Sequence, residues 1–133
     1  MKILFYILSL ALSLAVSTPT PTATALTYKG TPYRYGGLSS RGIDCSGLVV
    51  QSYLSQGILL PHKASNLYKL GKKIQQKDLK QGDLLFFGRR RISHVGIYLG
   101  DGYMIHASSR QRKVVVVKYT TVYNYRGAKR LQS

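Results

Sequence analysis

The chain has 133 residues, with 20 Lys and Arg against four acidic residues, and a formal net charge of +16 at neutral pH. This length supports one small domain with a single hydrophobic core, and the scarcity of carboxylates argues against glycoside hydrolysis by an Asp/Glu pair. The strong positive charge predicts polyanionic partners, but no helix-turn-helix, zinc-finger or RNA-binding motif accompanies it, so nucleic acid is not expected.

The N-terminal residues have the pattern of an export signal. Lys2 gives a short positive segment, and residues 3–16 are almost wholly apolar. The small residues up to Ser17 suit a signal-peptidase cleavage site. We expect cleavage after Ser17, with Ala25 as the alternative position and an uncleaved anchor as the alternative fate. The remainder, residues 18–133, is predicted to be one domain that is secreted, periplasmic or bound to the cell wall, with anionic envelope polymers as partners.

The predicted elements are helices first and strands afterwards. We expect helices at residues 22–29, 46–56 and 64–70. We expect strands at residues 83–87, 93–99, 103–107, 114–119 and 123–131. N-terminal helices packed on a meandering antiparallel β-sheet make an α+β domain.

The single cysteine, Cys45, lies between a glycine-rich approach and the predicted helix 46–56. An exported protein with one cysteine forms no internal disulfide, so a free thiol favours a chemical role. At a helix N-terminus, the macrodipole and backbone N–H groups are expected to stabilise a nucleophilic thiolate. The alternative is a small buried core residue.

Two histidines are predicted on neighbouring strands of one hairpin. His94 and His106 flank a turn centred near Asp101, so we expect them almost opposite each other on one face. A cysteine, a histidine that carries its proton and a polar group behind that histidine are the parts of a thiol hydrolase triad. Hydrogen-bonded core histidines or a Cys/His/His zinc site are the alternatives, although no CxxC or HExxH motif is present.

Five segments in a fixed order carry a resemblance to a known family. They are GTPYRYGG (30–37), DCSGL (44–48), QGDLLFF (81–87), SHVGIYLG (93–100) and IHA (105–107). Together they resemble the NlpC/P60 family of papain-like cell-wall endopeptidases, from about Gly30 to Val117. The resemblance implies the papain-like fold and peptidoglycan stem peptides as substrate, commonly cut between D-iso-glutamate and a diamino acid. We also expect a monomer that needs no metal or cofactor.

The same resemblance implies a role for each matching residue. Cys45 would be the nucleophile, His94 the general base and acid, and His106 the residue that orients His94. Tyr33 would place its hydroxyl near the thiol, and the Cys45 N–H would help to bind the oxyanion.

Further residues are assigned to the substrate side of the site. Asp44 and Ser46 are expected to shape the turn and the helix start. A run of three arginines directly precedes the His94 segment: Arg89, Arg90 and Arg91. We expect this run near the cleft rim, where it would recruit substrate carboxylates and lower the pKa of Cys45; a solvated loop is the alternative.

One segment departs from the family pattern. After Leu60-Pro61 the family often has Arg, then Thr or Ser, then Gln, whereas this chain continues with His62, Lys63, Ala64 and Ser65, and has Leu67 at the usual Gln position. That segment borders the substrate cleft in relatives, so the exact substrate stays open. An amidase or acyltransferase on the same fold, or a non-catalytic cationic envelope-binding protein, are the alternative functions.

Overall fold

A computed structural model describes residues 18–131, which form three helices, eight β-strands and two single 3₁₀ turns. The helices are α1 (Pro21–Thr27), α2 (Cys45–Leu54) and α3 (Ala64–Leu67). The strands are β1 (Leu38–Ser39), β2 (Gly42–Ile43), β3 (Lys72–Ile74), β4 (Leu84–Phe87), β5 (His94–Gly100), β6 (Tyr103–Ser108), β7 (Lys113–Lys118) and β8 (Tyr125–Arg130). The expected leader, residues 1–17, lies outside the described residues.

Six strands form one antiparallel sheet in the order β3-β8-β4-β5-β6-β7. Strands β4 to β7 follow each other as the predicted meander. The last strand does not extend it, because β8 returns and pairs with both β3 and β4. Strands β1 and β2 form a separate two-stranded hairpin just before α2.

The main core lies between the helices and one face of the sheet. Leu48 and Val49 of α2 are fully buried there against Phe86, Val95 and Ile105 from the sheet. Burying each of these side chains contributes about 1.5–3 kcal/mol. This packing fixes α2, and therefore its first residue, against the start of β5.

A smaller cluster covers the opposite face of the sheet. Leu85, Phe87 and Met104 are buried in it, and Tyr125 and Val122 pack against it. Residues alternate between the two faces because successive side chains of a strand point in opposite directions.

The N-terminal helix is an integral part of the fold. Ala25 of α1 is fully buried in the main core, and the Thr24 hydroxyl donates a hydrogen bond to Ser55 Oγ at 3.1 Å. Thr20 caps the helix, since its Oγ1 accepts a hydrogen bond from Ala23 N–H at 3.1 Å. No helix in residues 18–131 is long and apolar enough to cross a bilayer.

The α+β architecture expected from the sequence is confirmed, with differences in detail. Helix α3 is only four residues long, whereas a helix was predicted over 64–70. The short strands β1, β2 and β3 were not predicted. Two or three residues are too few to produce an alternating pattern that can be recognised in a sequence.

Candidate active site

Cys45 is the first residue of α2, and Asp44 caps that helix. The Asp44 carboxylate accepts a hydrogen bond from Gly47 N–H at 2.7 Å, and its backbone carbonyl accepts one from Leu48 N–H at 3.0 Å. Position 47 must be glycine, because a Cβ there would lie 2.2 Å from the carbonyl oxygen of Gly37. The glycine-rich approach therefore packs directly on the helix start, which holds Cys45 at the predicted place.

Asp44 also joins the approach loop to a third histidine. Its Oδ2 accepts a hydrogen bond from Gly36 N–H at 2.8 Å, and its Oδ1 lies 2.7 Å from His62 Nε2. The Ser46 hydroxyl donates to the same Oδ1 at 3.3 Å. Asp44 and Ser46 are both buried, so these contacts match the predicted part of both residues in shaping the turn.

His94 and His106 form a hydrogen-bonded pair. His94 opens β5 and His106 lies in β6, with 2.7 Å between His94 Nε2 and His106 Nδ1. The two residues are not directly opposite each other, because the residue beside His106 across the hairpin is Gly96. A Cβ on Gly96 would come within 3.2 Å of His106 Cβ and 2.7 Å of Met104 Sδ. The absence of a side chain at position 96 thus leaves room for the histidine pair.

The hydrogen bond between the rings limits their useful tautomers. Since Nε2 of His94 faces His106, only Nδ1 of His94 is available to a sulfur atom. If His94 donates a hydrogen bond to His106 through its Nε2–H, the Nδ1 of His94 carries no proton and can accept one. The Nδ1 of His106 then accepts that hydrogen bond, so the proton of the neutral His106 ring lies on Nε2 of His106. This Nε2 of His106 is buried and has no hydrogen-bond partner among the described residues.

Cys45, His94 and His106 line one cavity of about 400 Å³. The backbone N–H of Val95, one residue after His94, lowers the pKa of Cys45. The three residues predicted to form a triad therefore meet at one site, although they come from α2, β5 and β6. Phe87 packs beside the His94 ring, with 5.8 Å between ring centroids, and so restricts that ring's orientation.

The ionisable groups of the site favour their neutral forms. Burial raises the pKa of the Cys45 thiol, and this outweighs the lowering effect of backbone N–H groups from Val95, Ser46 and Cys45 itself. Burial, reinforced by His106, lowers the pKa of His94 to about 4. Burial likewise lowers the pKa of His106 to about 4. Burial therefore opposes the thiolate that the helix start was expected to stabilise.

Tyr33 lies at the centre of the cleft. It lines the cavity of the two histidines and a second cavity of about 270 Å³ on the side of Asp44 and His62. Burial raises the pKa of Tyr33, and the charges of nearby Cys45 and Asp44 raise it further. Tyr33 therefore keeps its proton, and it lines the same two cavities as Cys45.

The arginine run is exposed at the edge of the site. Its members and Ser93 line a small separate cavity: Arg89, Arg90 and Arg91. Ser93 also lines both cavities that contain Cys45, so the run is next to the cleft, but its side chains do not line it. The predicted lowering of the Cys45 pKa by these arginines is not found, since no arginine contributes to the shift of that thiol.

Several cleft residues were not found by sequence reasoning. His62 was noted only as a departure from a family pattern, yet it contacts Asp44 directly. The end of β6 supplies Ser108, the loop that follows supplies Arg110 and Gln111, and the segment after β7 supplies Tyr123. A signal existed only for His62, which follows a Leu-Pro pair near the helix that borders the cleft.

No group of three or more His, Cys, Asp or Glu side chains within residues 18–131 is arranged to hold a metal ion. The cluster consists instead of a thiol and two imidazoles, with two imidazole nitrogens used on each other. A cysteine at a helix start that faces histidines of an antiparallel sheet defines the papain-like α+β class.

The chain belongs to the NlpC/P60 family, whose model matches residues 30–130. It is 38% identical over 101 residues to a gamma-D-glutamyl-L-lysine dipeptidyl-peptidase of Bacillus subtilis, covering 72% of this chain and 34% of that protein. An NlpC/P60 protein structure from Bacillus cereus aligns with a TM-score of 0.78 and 31% identity, over 87% of this chain and 41% of the other.

A third relative has the same fold without catalysis. RipD from Mycobacterium tuberculosis, described as a non-catalytic NlpC/p60 domain protein adapted to peptidoglycan binding, aligns with a TM-score of 0.76 and 25% identity. The alignment covers 85% of this chain and 95% of that one. In contrast, the chain spans less than half of the length of the curated relatives it matches, from 22% to 44%.

Proposed function

We propose that this chain is a cysteine endopeptidase that hydrolyses an amide bond in peptidoglycan stem peptides. One observation carries the proposal: the Cys45 thiol shares a cavity with a histidine pair whose nitrogens are 2.7 Å apart. Relatives named as gamma-D-glutamyl-L-lysine dipeptidyl-peptidase and peptidoglycan endopeptidase support this substrate class. They also favour a bond between D-iso-glutamate and a diamino acid.

The neutral site can begin the reaction without a preformed ion pair. As the Cys45 sulfur attacks the substrate carbonyl, Nδ1 of His94 takes the thiol proton, and the hydrogen bond to His106 stabilises the imidazolium that forms. The backbone N–H of Cys45, at the start of α2, can donate to the oxyanion. Tyr33, which lines the same cavity as Cys45, is the second donor that we propose.

Collapse of the tetrahedral intermediate breaks the C–N bond. His94 returns its proton to the leaving amine, and a thioester remains on Cys45. Water then attacks the thioester, with His94 as general base, and releases the acid product and the thiol. Each step uses the same proton carrier, which is why the orientation of His94 by His106 matters.

The test is digestion of a defined muropeptide, followed by product mass. We expect a new free amine on the diamino acid, and losses in rate of about 10³-fold or more for Cys45→Ala and His94→Ala, since nucleophile and base act as a unit. Ser93→Ala is a control that alters the same cavity without removing either group. Undiminished cleavage by both variants would overturn the mechanism. Transfer of an acyl group to another acceptor would indicate an acyltransferase instead.

A non-catalytic envelope-binding protein is the second candidate function, because RipD has this fold and is described as non-catalytic. All three triad positions are occupied here by Cys45, His94 and His106, and their side chains meet in one cavity. The same digestion separates the two candidates: binding to muropeptides with no product of altered mass favours the binding protein.

We also propose that the protein acts outside the cytoplasm and is cleaved after Ser17. The signal-like pattern of residues 1–17 supports export. The packing of α1 supports the earlier cleavage position, because cleavage after Ala25 would remove most of a helix whose residues Thr22 and Ala25 are buried. N-terminal sequencing of the secreted protein tests this: a start at Thr18 agrees, and a start at Leu26 does not.

A further inference from the structure

A cationic groove lies at the sheet edge formed by β3. Its cavity of about 650 Å³ is lined by β3, the 3₁₀ turn after it, Lys80 and the end of β8. Four lysines surround it: Lys72, Lys73, Lys77 and Lys80. All four are exposed. We name this surface the lysine groove.

The floor of the lysine groove is held by an ion pair between the buried Asp83 and the partly exposed Arg130. Arg130 donates to both oxygens of Asp83, from Nε at 2.7 Å and from a terminal nitrogen at 2.8 Å, and to the Asp78 carbonyl oxygen at 3.0 Å. The Asp83 carboxylate also accepts a hydrogen bond from Lys80 N–H at 2.8 Å. The charge of Arg130 is thus compensated, and the backbone below the lysines is fixed.

The four lysine charges are not compensated in this way. The ion pairs found in residues 18–131 are Arg130–Asp83 and His62–Asp44, and neither includes a groove lysine. Asp78 is the one acidic side chain among the lining residues. The groove therefore presents a net positive charge, and the mutual repulsion of its lysines is relieved when an anion binds.

Protection of an exposed sheet edge explains only part of this cluster. Lysines on an edge strand discourage pairing with another chain, and Lys72 and Lys73 lie on the outer strand β3. Lys77 and Lys80 lie after that strand, where no strand edge needs protection. The four lysines share the groove rather than the strand.

The chemistry of the lining residues selects among polyanions. No aromatic side chain lines the groove, so it lacks the surface on which nucleic acid bases stack. Its apolar residues, Ile74 and Leu79, are buried or partly buried, so none projects to insert into a bilayer. Compact ammonium groups around a concave channel suit the single charges of a linear phosphate polymer.

We propose that the lysine groove binds a linear polyphosphodiester chain of the cell envelope. Strand β3 is at the opposite edge of the sheet from β7, and the histidine pair lies on β5 and β6. The polymer would therefore bind away from the peptide cleft, and would hold the protein on the envelope without occupying its active site. This binding is independent of the proposed peptidase activity.

The test uses labelled poly(glycerol phosphate) and two variants that lose equal charge. One replaces the four groove lysines with Gln. The control replaces four exposed cations elsewhere with Gln: Lys29, Arg41, Lys69 and Lys118. Fluorescence anisotropy gives Kd at several salt concentrations, and circular dichroism confirms that both variants are folded.

We expect the groove variant to bind the polymer about tenfold or more weakly. If all four contacts are lost, the slope of log K against log salt should become less negative by about 3. The control should change Kd by less than about threefold. Equal weakening in both variants would overturn the proposal, because binding would then follow net charge alone. So would groove-dependent binding that is tighter to phosphatidylglycerol vesicles or to a single-stranded oligonucleotide than to the polymer.

Binding and catalysis are separated by repeating the measurement with Cys45→Ala, which should keep the Kd of the unmodified protein. The groove variant should in turn hydrolyse soluble muropeptides at an unchanged rate and release less product from intact cell walls. If no muropeptide is cleaved but groove-dependent binding is found, the proposed function fails and the groove assignment stands.

Discussion

At the scale of single residues, burial dominates the chemistry of Cys45. The thiol lies at a helix start among three backbone N–H groups that lower its pKa, yet loss of solvation raises that pKa above its ordinary value. The pKa values of His94 and His106 are lowered for the same reason. Burial therefore favours a neutral thiol beside neutral imidazoles, and in the proposed reaction the ion pair forms as the proton moves.

This residue environment predicts how Cys45 reacts with iodoacetamide. An acid with a raised pKa keeps its proton to higher pH, so the alkylation rate should be low at about pH 5.5 and should still be rising above about pH 8. Intact mass against time gives the rate, and Cys45→Ala controls for reaction elsewhere. A rate that is already at its plateau at about pH 5.5 would show a preformed thiolate–imidazolium pair and contradict the neutral site.

Asp44 and His62 show what sequence reasoning could and could not reach at this scale. The helix cap by Asp44 follows from its position directly before the helix, because Asp is a preferred N-cap residue. Its contact with His62 at 2.7 Å joins residues 18 positions apart through a loop. No periodic pattern in the sequence predicts a contact of this kind, so only the structure shows it.

At the scale of elements, the β5–β6 hairpin positions the histidine pair. Both strands were predicted, but the prediction placed His94 and His106 almost opposite each other. The register shifts between Tyr98 and Gly100, so a count of residues from the turn does not give the partner of His106. The diagonal arrangement lets the rings meet edge to face, with centroids 4.9 Å apart.

Gly96 offers a test of this hairpin. In Gly96→Ala, the new Cβ would crowd Met104 and His106, so we expect β6 to shift and kcat to fall about tenfold or more while the protein stays folded. The matched control is Gly102→Ala in the turn of the same hairpin, where φ is +86° and no atom lies within 4 Å of a new Cβ.

The control should lower the free energy of unfolding by about 1 kcal/mol through backbone strain, with kcat close to that of the unmodified protein. Muropeptide hydrolysis and urea unfolding supply the two measurements. If Gly96→Ala keeps its full kcat, Gly96 is not needed to position His106.

The other strands show why local sequence patterns predict which residues form strands better than they predict the order of the strands in the sheet. Strands β4 to β7 are joined by short connections, so their succession along the chain predicts their pairing. Strand β8 was predicted from its residues, but its position between β3 and β4 depends on long-range packing. Strand β3, with only three residues, gave no pattern at all.

At the scale of the whole molecule, α1 links the N-terminus to the core. It packs against α2 through the buried Ala25 and the Thr24–Ser55 hydrogen bond, so it supports the helix that begins with Cys45. The sequence predicted a helix here without indicating what it contacts. Because α1 is buried, the position of cleavage is expected to affect the free energy of unfolding of the domain.

A protein that begins at Leu26 should therefore be less stable than one that begins at Thr18. We expect the free energy of unfolding to fall by about 2 kcal/mol, from the lost apolar burial and the lost hydrogen bond. Urea unfolding measures it. A protein that begins at Thr20 is the control, because it keeps the N-cap hydrogen bond to Ala23. Equal stability of all three proteins would show that α1 is dispensable.

The most direct test of the central claim is an acid quench of the reaction with a defined muropeptide, followed by intact mass and peptide mapping. The thiol, His94 and His106 are proposed to act together through a thioester on Cys45. The predicted result is a transient mass increase equal to the acyl half of the substrate, located on the peptide that contains Cys45. Undiminished turnover by Cys45→Ala, with no adduct on any residue, would contradict it.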